Sequence, residues 1–167
     1  FCDTLILSVG LIPENELSLA AGVLLDGRSR GAVVDENHQT TIPGIFAAGN
    51  VLQVHDLVDF VSMEAEELAD SAARYLKEEG LPECALAVET DGNVTHTIPQ
   101  KISGEADFKL SMRVRRPMKN CTIGLSQGGR TVLEKKMRKA IPAEMIQIPV
   151  KADKLDKNSN LEVSVVW

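Results

Sequence analysis

The sequence predicts two structural classes in succession: an α/β segment over residues 1–80, then an all-β, antiparallel, sandwich-like segment over residues 81–167. Three observations carry this. Short apolar runs punctuated by glycine and proline precede one long stretch of helical periodicity. Past residue 81 the apolar residues alternate with polar ones at period two. The charge changes sign at the same place: residues 1–80 hold four basic and fourteen acidic side chains (4 − 14 = −10), and residues 81–167 hold fourteen basic and ten acidic (14 − 10 = +4).

Leu5-Ile6-Leu7-Ser8-Val9-Gly10 is a continuous apolar run, the pattern of a buried parallel strand, and it leads into Leu11-Ile12-Pro13-Glu14-Asn15. Glu14 to Ala21 suits a short helix with Asn15 as cap and Gly22 as stop. Val23-Leu24-Leu25 and Ala32-Val33-Val34 are strand candidates around the turn residues Asp26-Gly27 and Arg30-Gly31. The stretch Thr40-Thr41-Ile42-Pro43-Gly44-Ile45-Phe46-Ala47-Ala48-Gly49-Asn50 puts a turn before an apolar run that ends on glycine. That pattern predicts a buried strand opening at its carboxyl end into a ligand crevice. Ala47, Ala48 and Gly49 are small enough to let a ligand approach the backbone, and Asn50 offers a donor and an acceptor at the tip.

Val51 to Leu57 is a loop, and Val58 to Glu79 is a helix. Val61, Ala65, Leu68, Ala72 and Leu76 mark its expected buried face, and Gly80 and Pro82 end it. Beyond it, Phe108, Leu110, Met112 and Val114 alternate with Lys109, Ser111, Arg113 and Arg115. Cys121, Ile123 and Leu125 repeat the alternation, as do Leu161, Val163, Val165 and Trp167. Met145 to Val150 adds a strand placed at an edge by Pro149, Gln127-Gly128-Gly129-Arg130 a hairpin turn, and Arg116 to Asn120 a longer connection. Alternation of this kind buries one face of a sheet and wets the other.

The Thr40–Asn50 stretch resembles the second FAD fingerprint of the pyridine nucleotide-disulphide oxidoreductases: Thr, a gap, Pro-Gly, an apolar run, then Ala-x-Gly-Asp. Ser8 to Asn15 resembles, with one extra residue, the Ala-Thr-Gly-x-x-Pro-Asn that closes the nicotinamide domain of the same family. The resemblance covers residues 1–80. It implies a partial FAD/NAD(P)-type dinucleotide-binding region, FAD and NAD(P) as cofactors, and hydride transfer from nicotinamide to flavin and onward to an acceptor. It assigns flavin contacts to Ala48, Gly49 and Asn50, and to the backbone amides of Leu57 and Val58 at the helix start. Asn50 stands where the family has the acidic residue that bonds the ribitol, so the contact is kept but its charge is lost. A catalytic residue is not assigned. The family's phosphate-binding G-x-G-x-x-G is nowhere in these 167 residues, which predicts that the sequence is the C-terminal part of a longer enzyme and binds FAD weakly or not at all by itself. Residues 81–167 do not resemble the family's dimerisation domain.

Other constellations carry less. Cys2, Cys84 and Cys121 form no C-x-x-C, which disfavours a dithiol or disulfide framework and suits a branch passing electrons to a partner dehydrogenase or electron-transfer subunit. His55, Asp56 and Asp59 are too few for a metal site, so a loop and helix cap is the better reading, with a proton-transfer role for His55 beside the flavin as the sharper one. Asp156 to Asn160 departs from a calcium loop at its glycine position. Basic residues at 113–119 and 135–139 lack the aromatic company that nucleic acid requires; a solvated face, or docking against the acidic half, is expected instead. No run is long enough to span a membrane, and no signal peptide opens the sequence. A cytoplasmic, homo-oligomeric protein is the expectation, with a non-catalytic scaffold that docks partner subunits as the alternative.

Overall fold

The computed structural model describes residues 1–7, 10–77 and 80–167. A small helical part comes first and two β-sheets follow. The elements in order are α1 (Glu16–Ala20), a 3-10 turn (Gly49–Val51), α2 (Val58–Lys77), β1 (Leu86–Thr90), β2 (Val94–Ile98), β3 (Lys101–Ile102), β4 (Phe108–Val114), β5 (Met118–Gln127), β6 (Arg130–Ala140), β7 (Ile146–Val150), a second 3-10 turn (Ala152–Lys154) and β8 (Leu161–Val166).

One sheet has the order β3-β1-β8-β5-β6 and the other β2-β4-β7. Their inward side chains meet in a single apolar cluster. Leu110, Met112, Ile148 and Val150 come from the smaller sheet, and Ile123, Leu125, Leu161, Val163 and Val165 from the larger. The predicted alternation at 108–114, 121–125 and 161–165 lies on β4, β5 and β8, but Trp167 falls beyond β8 and is exposed; the hairpin turn joins Gln127 to Arg130, and Pro149 sits on an edge strand. The Arg116–Asn120 connection is shorter than predicted, because β5 begins at Met118. The sheets are also not wholly antiparallel: β1 runs parallel to β8, pairing Val88 with Leu161 and Thr90 with Val163. These are the first and last strands, far apart in sequence. No tight turn joins them, so nothing forces the antiparallel sense of a hairpin.

The outer face of β4 departs from the predicted wet surface. Lys109, Ser111 and Arg113 alternate with core residues, yet Ser111 is buried. The reason is cover. Glu67 of α2 pairs with Lys109 and Asp56 with Arg113, so the acidic half does lie against this basic face. Ile98 of β2 buries with Val23, Ala32, Val34, Ala47 and Leu52 in a second, smaller cluster on that side. The basic run at 135–139 lies on β6, an edge strand, where charge discourages further strand pairing.

The N-terminal segment contains less regular structure than its apolar runs predict. Leu5, Ile6 and Leu7 are 76%, 86% and 76% exposed and form no strand, having no neighbouring strand to pair with among the described residues; Ser8 and Val9 lie outside the described residues. The strand candidates at 23–25 and 32–34 are reduced to isolated bridges, Leu25 to Ala32 and Val34 to Thr40. The expected strand at 45–48 likewise has one bridge, Phe46 to Gln39. α1 starts after Asn15, whose side chain does not cap it but donates instead to the carbonyls of Arg30 (3.0 Å) and Val51 (2.9 Å).

α2 matches its predicted span up to Lys77, with 78–79 outside the described residues, but the predicted face is rotated. Its buried residues are Glu64 and Ser71, while Leu76 is 80% exposed. The helix is laid down by polar contacts as much as by apolar ones, and periodicity of apolar residues does not report those.

Candidate functional site

The loop from Gly49 to Leu57 and the first turns of α2 form one built unit. Gly49 has φ +73°, a left-handed conformation natural to glycine, and a Cβ added there would sit 3.3 Å from Val61 Cγ1. Behind the turn, Gly31 approaches so closely that an added Cβ would lie 1.7 Å from the carbonyl oxygen of Leu52. Only a residue without a side chain fits there.

Glu64 holds this loop to the helix. One carboxylate oxygen accepts the Gly49 N–H at 2.6 Å; the other accepts from Gln53 Nε2 at 3.0 Å and lies 3.3 Å from His55 Nε2. Burial works to raise the Glu64 pKa, but hydrogen bonds from His55, Gly49 and Gln53 outweigh it and hold the carboxyl below its ordinary value. The sequence offered one signal for this clamp, a glutamate in the second turn of the helix, and the helical wheel assigned it to solvent.

The predicted site residues fall around the clamp. Ala48 is partly buried, Gly49 is buried, and Asn50 is exposed with its side-chain oxygen accepting the His55 N–H at 3.1 Å. Leu57 and Val58, 56% and 75% exposed, stand at the open start of α2. Among the described residues, no backbone hydrogen bond uses the N–H of either. The structure therefore brings Gly49, Asn50, Leu57 and Val58 to one loop and helix start. The groups weighed as metal ligands and read instead as a loop and helix cap make structural contacts: His55 turns to Glu64, and Asp56 accepts from Arg113 and, at 2.6 Å, from the Met145 N–H. Asp59 lies in the first turn of α2, where its charge suits the helix dipole. Arg113 completes the anchoring by donating to the carbonyls of Val54 (2.8 Å) and Pro142 (3.1 Å).

A second set of contacts fixes the middle of α2. Glu67 lies 3.7 Å from His38 Nε2 and also receives Lys109. The His38 contact, followed by Lys109, lowers its pKa to about 2 against the opposing effect of burial. No group of three or more His, Cys, Asp or Glu side chains among the described residues is arranged to hold a metal ion.

A glycine turn, an exposed amide side chain and the start of α2 with its apolar flanks thus lie together on one loop. Residues 1–80, just under half of the chain, match the model of the family Pyridine nucleotide-disulphide oxidoreductase, which supports this segment as a fragment of that family. The chain is similar to a probable ferredoxin reductase of Castellaniella defragrans, 46% identical over 50 residues, 30% of this chain and 12% of that protein. It is similar also to the mitochondrial dihydrolipoyl dehydrogenase of Caenorhabditis elegans, 45% identical over 53 residues, 31% of this chain and 11% of that protein. The match thus spans about a ninth of either relative's length. No solved structure matches the chain.

Proposed function

We propose that the chain is part of an FAD-dependent oxidoreductase that moves hydride from NAD(P)H through the flavin to an acceptor. The family match over residues 1–80 carries this reading. The loop and helix start are its physical support: Asn50, whose side-chain oxygen already serves the loop, keeps its amide N–H groups for a ribitol hydroxyl, and the N–H groups of Leu57 and Val58, unused by backbone hydrogen bonds among the described residues, remain for the ring edge. FAD, when bound, supplies the hydride and electron chemistry. The chain's own residues hold and polarise: Gly49 admits the backbone approach, Glu64 fixes the loop, and the positive end of α2 favours negative charge beside it.

Residues 81–167 are proposed as a two-sheet sandwich that docks a partner dehydrogenase or electron-transfer subunit, with self-association through the exposed apolar run at Leu5–Leu7. A cytoplasmic setting goes with this reading. Among the described residues, no helix is long and apolar enough to cross a membrane.

The test is flavin retention in the intact enzyme. Purified protein should be yellow and bleach with NADH or NADPH. Asn50→Asp should retain flavin at least as well, and Asn50→Ala less well. A colourless intact protein that rejects added FAD ends the flavin reading. Unchanged retention in both variants removes Asn50 from the site.

A further inference from the structure

A cleft of about 330 Å³ lies beside the clamp, between the Leu11–Pro13 loop, the Arg28–Arg30 turn and the outer face of β2 and β4. His96 and Arg113 are cross-strand partners and both line it. Its polar groups are unusual for a structural surface. His96 is 9% exposed, yet neither ring nitrogen has a hydrogen-bond partner. Burial first, and then the neighbouring Arg113, lower its pKa, with Asp26 opposing, so the ring is neutral and offers one donor and one acceptor. Gln53 is 1% exposed; its amide nitrogen serves Glu64, and its buried oxygen has no partner. Buried polar atoms in a folded protein are normally satisfied, so three such atoms on one cleft call for a ligand or water.

The charge at the cleft specifies which ligand. Arg113 is already committed to Asp56. Arg28 donates to the neutral Thr90 hydroxyl, and among the described residues neither Arg28 nor Arg30 pairs with a carboxylate. Arg30 also has φ +62°, a conformation that non-glycine residues rarely adopt. Two guanidinium groups without carboxylate partners, with the imidazole donor between elements, match a phosphate oxyanion. The unpaired Gln53 oxygen asks for a donor on the same molecule.

We propose that this cleft binds a small phosphomonoester bearing a hydroxyl group: Arg28, Arg30 and His96 hold the phosphoryl oxygens and the Gln53 side-chain oxygen accepts from the hydroxyl. The site is independent of the flavin reading, and its test uses no flavin. The 167-residue chain is titrated calorimetrically, at constant ionic strength, with inorganic phosphate, methyl phosphate and ribose 5-phosphate, while His96 ring shifts are followed by NMR. Saturable binding of all three is expected, with ribose 5-phosphate tightest and the His96 resonances moving. Arg30→Gln, which removes a side chain with no hydrogen bond among the described residues, should weaken binding about tenfold, the loss of one charge-assisted contact. Lys139→Gln on β6 should leave it unchanged. Absence of saturable phosphate binding overturns the site, as does binding indifferent to Arg30→Gln. Equal affinity for methyl phosphate and ribose 5-phosphate overturns the role given to Gln53.

Discussion

The two halves of this chain hold themselves together by different means. The β-sheets close around an apolar cluster in which Leu110, Met112, Ile123, Leu125 and Leu161 are fully buried. The first 57 residues bury a much smaller cluster and leave Leu5, Ile6, Leu7, Leu11, Ile12 and Leu24 largely in solvent. What orders this half is polar: Asn15 tying two carbonyls, the Asp26 carboxylate receiving the Ser29 N–H, Asp35 receiving those of Asn37 and Gln39, and Glu64 receiving Gly49. A large apolar core tolerates the loss of any one contact by degrees. A segment held by single polar contacts and close backbone approaches depends on each of them. That difference suits the proposed role of this region, fitting backbone around a ligand.

Gly31→Ala should expose the contrast most strongly. Its Cβ would collide with the Leu52 carbonyl, and neither backbone can move without dislodging Ala32, Val34 and Leu52 from their cluster. A loss of about 4 kcal/mol or more is expected. Hydrogen exchange should show amides at 23–52 losing protection while β5 and β8 keep theirs. Simultaneous loss in the strands would mean that the two halves unfold as one unit.

Leu125→Ala should cost about 2–5 kcal/mol, since the side chain is fully buried and leaves a cavity. Leu24→Ala, at a position 64% exposed, should cost less than about 0.5 kcal/mol. Denaturant midpoints for the pair measure how unequally the two halves use their leucines.

The same contrast explains what the sequence made legible. In the sheets, burial follows period two, so β4, β5, β7 and β8 can be found from residues alone; β6 is obscured because Lys135, Lys136, Arg138 and Lys139 crowd an edge strand. At the candidate site, the fingerprint residues Gly49, Asn50, Leu57 and Val58 lie on one loop and helix start. Glu64 is not legible, because a glutamate in a helix is ordinarily solvated and its burial depends on three donors that the fold assembles. The apolar runs at 5–7 and 45–48 look like strands because hydrophobicity is local, whereas a strand needs a neighbour, and pairing is not.

Glu64→Gln should cost about 1–3 kcal/mol, because the buried donors of Gln53 and His55 lose a charged acceptor. The effect carries a pH signature. The folded Glu64 pKa lies below its ordinary 4.5, so the clamp's contribution is fully present above about pH 4.5 and fades as pH falls through the lower, folded value. The stability gap between wild type and Glu64→Gln should therefore narrow in acid and stay constant from neutrality down to about pH 4.5. A gap that is flat down to acid unfolding would show that charge is not what Glu64 supplies.

The smallest effect is chemical rather than energetic, and it compares a tied position with a loose one inside the same half-chain's reach. Cys84 is buried and touches Asn37; burial, then the nearby Asp35 and Glu36 carboxylates, push its thiol well above the ordinary range. A thiol so placed is almost wholly protonated at neutral pH, and the thiolate is the reactive form. Cys2 is exposed. With a thiol reagent at pH 8, Cys2 should be labelled in the native chain, and Cys84 and Cys121 only on unfolding. In Gly31→Ala, Cys84 should become reactive while Cys121, in the β core, stays protected. Joint release of both thiols would show that Asn37 and Cys84 depend on the β core rather than on the polar ties of the N-terminal half.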